Sequence, residues 1–224
     1  MKECLMLDWT GTLVDEHDLD EDMCRNMELE ISKKLTITVE EAKRRYQNLL
    51  TKYGGSWEWY NYPLHGDIFE IDWRRAHASA LPKIRIIPNT IDVLSHYKGK
   101  GYYICMLTNA VKEVIDIRVN YLKMRSFFDL IITSDTVKST KSSGKHLDLA
   151  LRSIDVPRRD VYMIGDSLTQ DILPAKRFKL VTIQCKFGAV AYNHTRNHNN
   201  DIESLTCVPD YVINNITELL SIIK

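Results

Sequence analysis

ECLMLDWTGTLVD, running from Glu3 to Asp15, is the stretch whose reading decides the fold. Cys4 to Leu7 is a short apolar run of the length expected for a buried strand in a parallel sheet. It ends on a carboxylate, Asp8, and the chain then turns through Thr10, Gly11 and Thr12. In open α/β sheets, ligands bind at the carboxyl ends of the strands. A carboxylate there, followed by a glycine turn with free N–H groups and two hydroxyls, suits an anion or a metal. An Asp-initiated turn after a strand is also common, so the rest of the chain has to decide.

Outward from this stretch, strand and helix patterns alternate. Asn89 and Thr90 can cap a helix holding Ile91, Leu94 and Tyr97, and Lys98 to Gly101 end it. Tyr102 to Leu107 reads as a second strand, ending in Thr108 and Asn109, with a helix from about Val111 to Leu122 after it. Leu130 to Thr133 is a third strand and Leu147 to Ser153 lies in a helix. Val161 to Ile164 is a fourth strand, running into Gly165 and Asp166, and a helix with Ile172 and Ala175 follows. Leu180 to Gln184 and Tyr211 to Ile213 complete the set before a closing helix to Ile223. Such alternation implies a parallel sheet covered on both faces, a three-layer Rossmann-like α/β core.

Between the first strand and this core lies a segment without strand signals. Leu19, Met23, Met27, Ile31 and Leu35 recur every four residues, one stripe of an amphipathic helix that Asp18 or Asp20 can cap. Thr38 to Glu41 has capping-box spacing, with Ala42, Tyr46, Leu49, Leu50 and Tyr53 on one face, and Gly54 and Gly55 close that helix. Trp57, Trp59, Tyr60 and Tyr62 form an aromatic patch read first as packing. One further helix is expected from Ile68 to Ala80. The expected organisation is a core of residues 1–15 and 83–224 with an all-helical cap, 16–82.

The totals exclude several classes. Lys plus Arg and Asp plus Glu are each 30 of 224 residues, so no basic excess points to nucleic acid. No apolar run approaches bilayer length and no signal-peptide pattern is found, so no membrane partner and a cytoplasmic location are expected. Five cysteines without a C-x-x-C pair fit a reducing compartment. The sequons at Asn193 and Asn215 carry no weight without secretion, and His194 and His198, in the polar run Asn193 to Asp201, read as solvated loop residues.

Parallel strands deliver their C-terminal ends to one edge, so Asp8, Thr108, Asn109, Asp166 and Asp171 should converge there, with Lys141 shortly after the third strand. Carboxylates gathered in one place repel unless a cation lies between them, and for oxygen ligands Mg²⁺ fits. A hydroxyl, a lysine and free amides opposite that ion would bind a phosphoryl group.

These residues resemble a family. Leu5 to Asp15, then Met106 to Asn109, then Lys141, then Ile164 to Ile172 look like the four ordered motifs of the haloacid dehalogenase superfamily. Each motif alone is weak, and four in order are specific. The insertion matches the family's helical cap in position and helical character. The resemblance implies a Mg²⁺-dependent hydrolase of a small phosphorylated metabolite. In it Asp8 is the nucleophile that forms an aspartyl-phosphate. Asp8, Asp166 and the Thr10 backbone carbonyl hold Mg²⁺, and Asp171 binds it or orients its ligands. Thr108 and Lys141 grip the phosphoryl oxygens, with Thr12 and Asn109 also contacting substrate.

One departure stands out. Family phosphatases carry a second aspartate two residues after the nucleophile, as acid and then base, and here Thr10 occupies that position. A threonine hydroxyl does not exchange a proton near neutral pH, so help worth about 10²–10⁴-fold is missing. Good leaving groups should therefore be favoured, and restoring Asp at position 10 should raise turnover. His17, His65 and His77 are the candidates for proton transfer from the cap side. Phosphonoacetaldehyde hydrolases carry a similar Asp-Trp-Ala-Gly-Thr turn, which leaves C–P cleavage as an alternative. It requires a Schiff-base lysine, and Lys33, Lys34, Lys43 and Lys52 are the candidates. A phosphate-binding protein with little turnover is the remaining alternative.

Overall fold

The computed structural model describes residues 3–187 and 206–224. Asn193, His194, His198 and the polar run around them lie outside the described residues. The first strand, β1 (Cys4–Leu7), is buried along its whole length. Its side chains alternate between two apolar clusters, as a strand's period of two requires. Leu5 and Leu7 join one cluster, Cys4 and Met6 the other.

β1 lies inside a six-stranded sheet of order β5-β4-β1-β6-β7-β8, where β4 is Tyr103–Leu107, β5 Leu130–Ile132, β6 Val161–Gly165, β7 Val181–Cys185 and β8 Tyr211–Ile213. Every pairing in it is parallel. The cluster holding Leu5 and Leu7 takes in α5 (Thr90–Gly99), α6 (Lys112–Tyr121) and the closing helix Leu219–Ile222. The cluster holding Cys4 and Met6 takes in α8 (Lys145–Ser153) and α9 (Leu173–Arg177). Helices on both faces of a parallel sheet give the expected three-layer α/β architecture.

A two-stranded antiparallel ribbon, which the residue pattern did not reveal, pairs β2 (Val14–Asp15) with β3 (Arg85–Ile86). It clasps the two ends of the helical segment. That segment consists of α1 (His17–Leu35), α2 (Val39–Lys52), a short 3₁₀ turn Trp57–Tyr60, α3 (Tyr62–Phe69) and α4 (Trp73–Ala80). Of the four-residue stripe, Leu19, Met23, Met27 and Ile31 are buried, whereas Leu35, the last residue of α1, is exposed; the buried four join Ala42, Tyr46 and Trp73 in the same apolar cluster as Leu5 and Leu7.

Three local expectations are corrected. The single helix from Ile68 to Ala80 is two helices, because Glu70 takes left-handed φ of 52° and the Asp72 side chain caps a new start by accepting from Arg74 N and Arg75 N. Neither Asp18 nor Asp20 caps α1, whose N-cap is Glu16, without a side-chain cap. Asn89 precedes α5 in left-handed conformation and makes no side-chain cap either. Thr38 does cap α2, accepting from Glu41 N. Among the described residues no helix is long and apolar enough to cross a membrane.

Candidate active site

The sheet order explains the meeting of the motif residues. β1 is flanked by β4 and β6, so Asp8, Thr108 and Asp166 leave three adjacent strands at the same edge. Asp8 N still donates to Ile164 O at 2.9 Å, and Thr108 N to Ile132 O at 3.0 Å, so the strand pairing holds both residues in register. Lys141 opens a short turn, Lys141–Ser143, between α7 (Ser134–Val137) and α8. Asp171 sits in a π-helical turn, Leu168–Ile172, directly after β6.

One carboxylate oxygen from each of Asp8, Asp166 and Asp171 lies within 4.8 Å of the other two. Lys141 Nζ donates to Asp171 Oδ1 at 2.6 Å and also to Asp8 Oδ1. Asp8 and Lys141 are each 5 % exposed and Asp171 fully buried. Two glycines make this crowding possible. A Cβ at Gly165 would stand 2.4 Å from Asp171 Cγ, and one at Gly11, whose φ is +78°, would stand 2.4 Å from Asp166 Oδ2.

The charges do not balance. Burial pushes Asp166 up to about 8, with Asp8 and then Asp171 adding repulsion, and Lys141 offsets only part. Burial also raises Asp8 to about 6 against the pull of Lys141. Burial works against the Lys141 charge as well, yet Asp171 and Asp8 hold its pKa above the ordinary lysine value. Three hard oxygen donors with one ammonium among them leave negative charge uncompensated, which is the donor set a small divalent ion such as Mg²⁺ takes.

The supporting contacts are tight. Thr12 Oγ1 donates to Asp8 Oδ2 at 3.4 Å. Asn109 spends both ends of its amide on protein: Oδ1 accepts from Lys141 N at 2.8 Å, and Nδ2 donates to Gln170 Oε1 at 3.2 Å. Gln170 Oε1 also accepts from Ser142 N at 3.1 Å, so the lysine turn and the Asp171 turn are laced together. His146, buried and neutral because burial lowers its pKa to about 4, places Nε2 3.1 Å from the Thr108 carbonyl. From the helical segment, the Tyr60 hydroxyl meets the Asn109 side chain, and Lys138 Nζ lies 4.4 Å from the Trp57 ring centroid. The two lysines nearest Lys141 in sequence are placed elsewhere: Lys138 on Trp57, Lys145 exposed.

The Thr10 side chain has a partner of its own. Its hydroxyl donates to Glu16 Oε2 at 2.7 Å, and Glu16 is paired with Arg118 at 2.8 Å. His65 and His77 are committed elsewhere. His65 lies between Tyr46 Oη and the Glu58 carbonyl, and His77 accepts from Arg118 Nε. His17 is exposed beside Glu21. Lys33, Lys34, Lys43 and Lys52 are exposed, and Lys33 and Lys34 pair with Glu30 and Glu70.

With this geometry in place, the profile of the haloacid dehalogenase-like hydrolases matches residues 2–179, and a second HAD-hydrolase-like profile matches 140–219. The chain belongs to the haloacid dehalogenase-like hydrolases. Among relatives of this hydrolase is the glyceraldehyde 3-phosphate phosphatase of Methanopyrus kandleri, 24% identical over 243 residues, spanning 100% of this chain and 98% of that protein. That of Pyrococcus abyssi is 28% identical over 204 residues, 84% of this chain and 83% of the relative. In fold, the hydrolase is similar to a HAD phosphatase from Thermococcus onnurineus, with a TM-score of 0.80, 23% identity and 99% and 97% coverage of the two chains. The putative HAD-hydrolase YfnB of Bacillus subtilis, described as bound to magnesium, has a TM-score of 0.66 at 17% identity and covers 100% and 99%.

Proposed function

We propose that this hydrolase is a Mg²⁺-dependent phosphatase of small phosphorylated metabolites, acting through Asp8. The observation that carries the reading is the group of buried Asp8 and Asp171, both paired with Lys141, and half-buried Asp166 beside them. Asp8, Asp166 and the Thr10 backbone carbonyl would hold the ion, with Asp171 binding it or fixing its ligands. Bound Mg²⁺ supplies the positive charge that lets a carboxylate approach a phosphoryl group.

The chain's own residues do the rest. The Asp8 carboxylate attacks phosphorus, the P–O bond to the leaving group breaks, and water later cleaves the resulting aspartyl-phosphate. Thr12 fixes the Asp8 rotamer through its hydrogen bond. Lys141 can turn one of its three donors to a phosphoryl oxygen while keeping Asp171. The Thr108 hydroxyl accepts from Ala110 N at 3.1 Å, which leaves its proton free to point at phosphate. Asn109, with its amide occupied by the Lys141 and Gln170 turns, acts by placing the lysine. The helical segment 16–82 serves as a cap, with Tyr60 meeting Asn109 and Trp57 meeting Lys138 of the core.

Phosphate release from p-nitrophenyl phosphate, with and without Mg²⁺, tests the assignment. Wild type is expected to require the ion, and Asp8→Asn to lose on the order of 10⁴-fold or more, the scale of removing a nucleophile. Undiminished turnover in Asp8→Asn sinks it. Glyceraldehyde 3-phosphate, named for several relatives, and phosphoglycolate, named for another, are the first metabolites to assay.

A further inference from the structure

Thr10 is partly exposed, whereas Glu16 is 1 % exposed and sits behind it, just before α1. The Glu16 carboxylate accepts from two consecutive residues of the turn after Asp8: the Trp9 indole N–H at 2.7 Å and the Thr10 hydroxyl at 2.7 Å. Arg118 reaches the same carboxylate from α6, with Nη1 2.8 Å from Oε2. The rest of its guanidinium is turned to the helical segment: Nε donates to His77 Nε2 at 3.2 Å, and Nη2 lies 3.5 Å from Asp20 Oδ1, an ion pair without a hydrogen bond. Burial, with the Arg118 charge second, lowers His77 to about 3, so its ring is neutral and accepts.

The chemistry of this contact bears on the residue at position 10. A hydroxyl facing Glu16 is a donor meeting an acceptor. An aspartate in its place would set two carboxylates at hydrogen-bond distance, where one must be neutralised or swing away. The buried carboxylate already stands opposite position 10, delivered from position 16.

We propose that Glu16 is a positioning residue of the active site. It fixes Thr10 through the hydroxyl, and with it the turn that carries Asp8 and the expected backbone ligand of the ion. Through Arg118 it ties that turn to the helical segment. Glu16, in turn, sets which residue position 10 accepts. The proposal rests on Asp8 being the nucleophile, and it reverses the expectation that an aspartate at position 10 raises turnover.

The test compares kcat, KM and thermal midpoint for Thr10→Ser, Thr10→Val, Thr10→Asp, Glu16→Gln, and the doubles Thr10→Val/Glu16→Gln and Thr10→Asp/Glu16→Gln, on p-nitrophenyl phosphate at saturating Mg²⁺. Thr10→Ser keeps the donor and should retain a higher kcat than Thr10→Val. Thr10→Val and Glu16→Gln should each lower kcat by up to about 10²-fold, the scale of a small misplacement, with KM little changed. Their double should be no worse than the poorer single, since the Thr10–Glu16 contact they share can be lost only once. Thr10→Asp should fall below wild type, and adding Glu16→Gln should recover about tenfold or more. Thr10→Asp at or above wild type overturns the proposal, as do multiplying losses in the Val/Gln double. A wild type without Mg²⁺-dependent turnover strikes the catalytic reading instead. The contact is then decided by whether the melting shifts of Thr10→Val and Glu16→Gln fail to add.

Discussion

Lys141 and Arg118 are the lysine and the arginine buried almost completely among the described residues, and each faces more than one acid. Around Lys141 a compact ammonium stands between Asp8 and Asp171, with Asp166 beside them and excess negative charge left over. Around Arg118 a planar fork is spread over Glu16, His77 and Asp20, and Glu16 takes two further donors from Trp9 and Thr10. Glu16 is thereby satisfied, whereas Asp20, at the long end, is raised to about 6 chiefly by burial. An arginine fork suits a fixed network, and a lysine suits a group that must re-aim. One arrangement has its charges paired; the other keeps negative charge in excess, as the proposed ion and substrate site requires.

Removing each base is the strongest way to break this comparison. Arg118→Met should cost about 3–5 kcal/mol in urea unfolding, with or without Mg²⁺, because Glu16 is left buried and unpaired. Lys141→Met should lose turnover by about 10²–10³-fold, while Mg²⁺ restores its melting temperature by neutralising the same acids. If Mg²⁺ rescued the stability of Arg118→Met equally well, the two clusters would not differ in kind.

The next effect is a dependence on pH. Asp166 and Asp8 have folded pKa values raised to about 8 and about 6. Without metal, the folded state keeps their protons where the unfolded chain has released them. Their contribution to stability is therefore present below the ordinary carboxylate pKa and is lost as pH rises from about 4 towards 8. An ion that needs both acids ionised should bind more tightly over the same range. The rise in melting temperature on adding Mg²⁺ should be larger at pH 8 than at pH 5, and a flat or inverted profile would contradict the electrostatic account.

Lys138→Met gives the smallest effect. It removes the cation resting on the Trp57 ring, worth about 0.5–1 kcal/mol at an exposed site, and should leave kcat within about twofold of wild type. A loss as deep as that of Lys141→Met would show that the wrong lysine has been placed in the site.

Asp8, Asp166, Asp171 and Lys141 were legible as a group because parallel strands export their C-terminal ends to one edge, and the order of motifs fixed which ends mattered. The Glu16–Arg118 pair was not, since its partners lie 102 residues apart and no local pattern announces a long-range ion pair. The one available sign was a charge within an apolar stripe: Arg118 shares a helix face with buried Val114, Ile115 and Val119. The resemblance makes Asn109 a substrate contact; in the structure its amide laces the Lys141 and Gln170 turns, and the two roles look the same in sequence. The β2–β3 ribbon, two residues to a strand, is too short for alternation to register. The break between α3 and α4 did have a cue in Asp72 before Trp73, and the continuing apolar pattern masked it.

Gly11 and Gly165 give the molecule an unusual sensitivity. The acids at 166 and 171 rest where those two residues have no side-chain atoms. Inserting one methyl group at either glycine would therefore displace a carboxylate of the cluster, so on the proposed function this hydrolase can be silenced by addition as well as by removal.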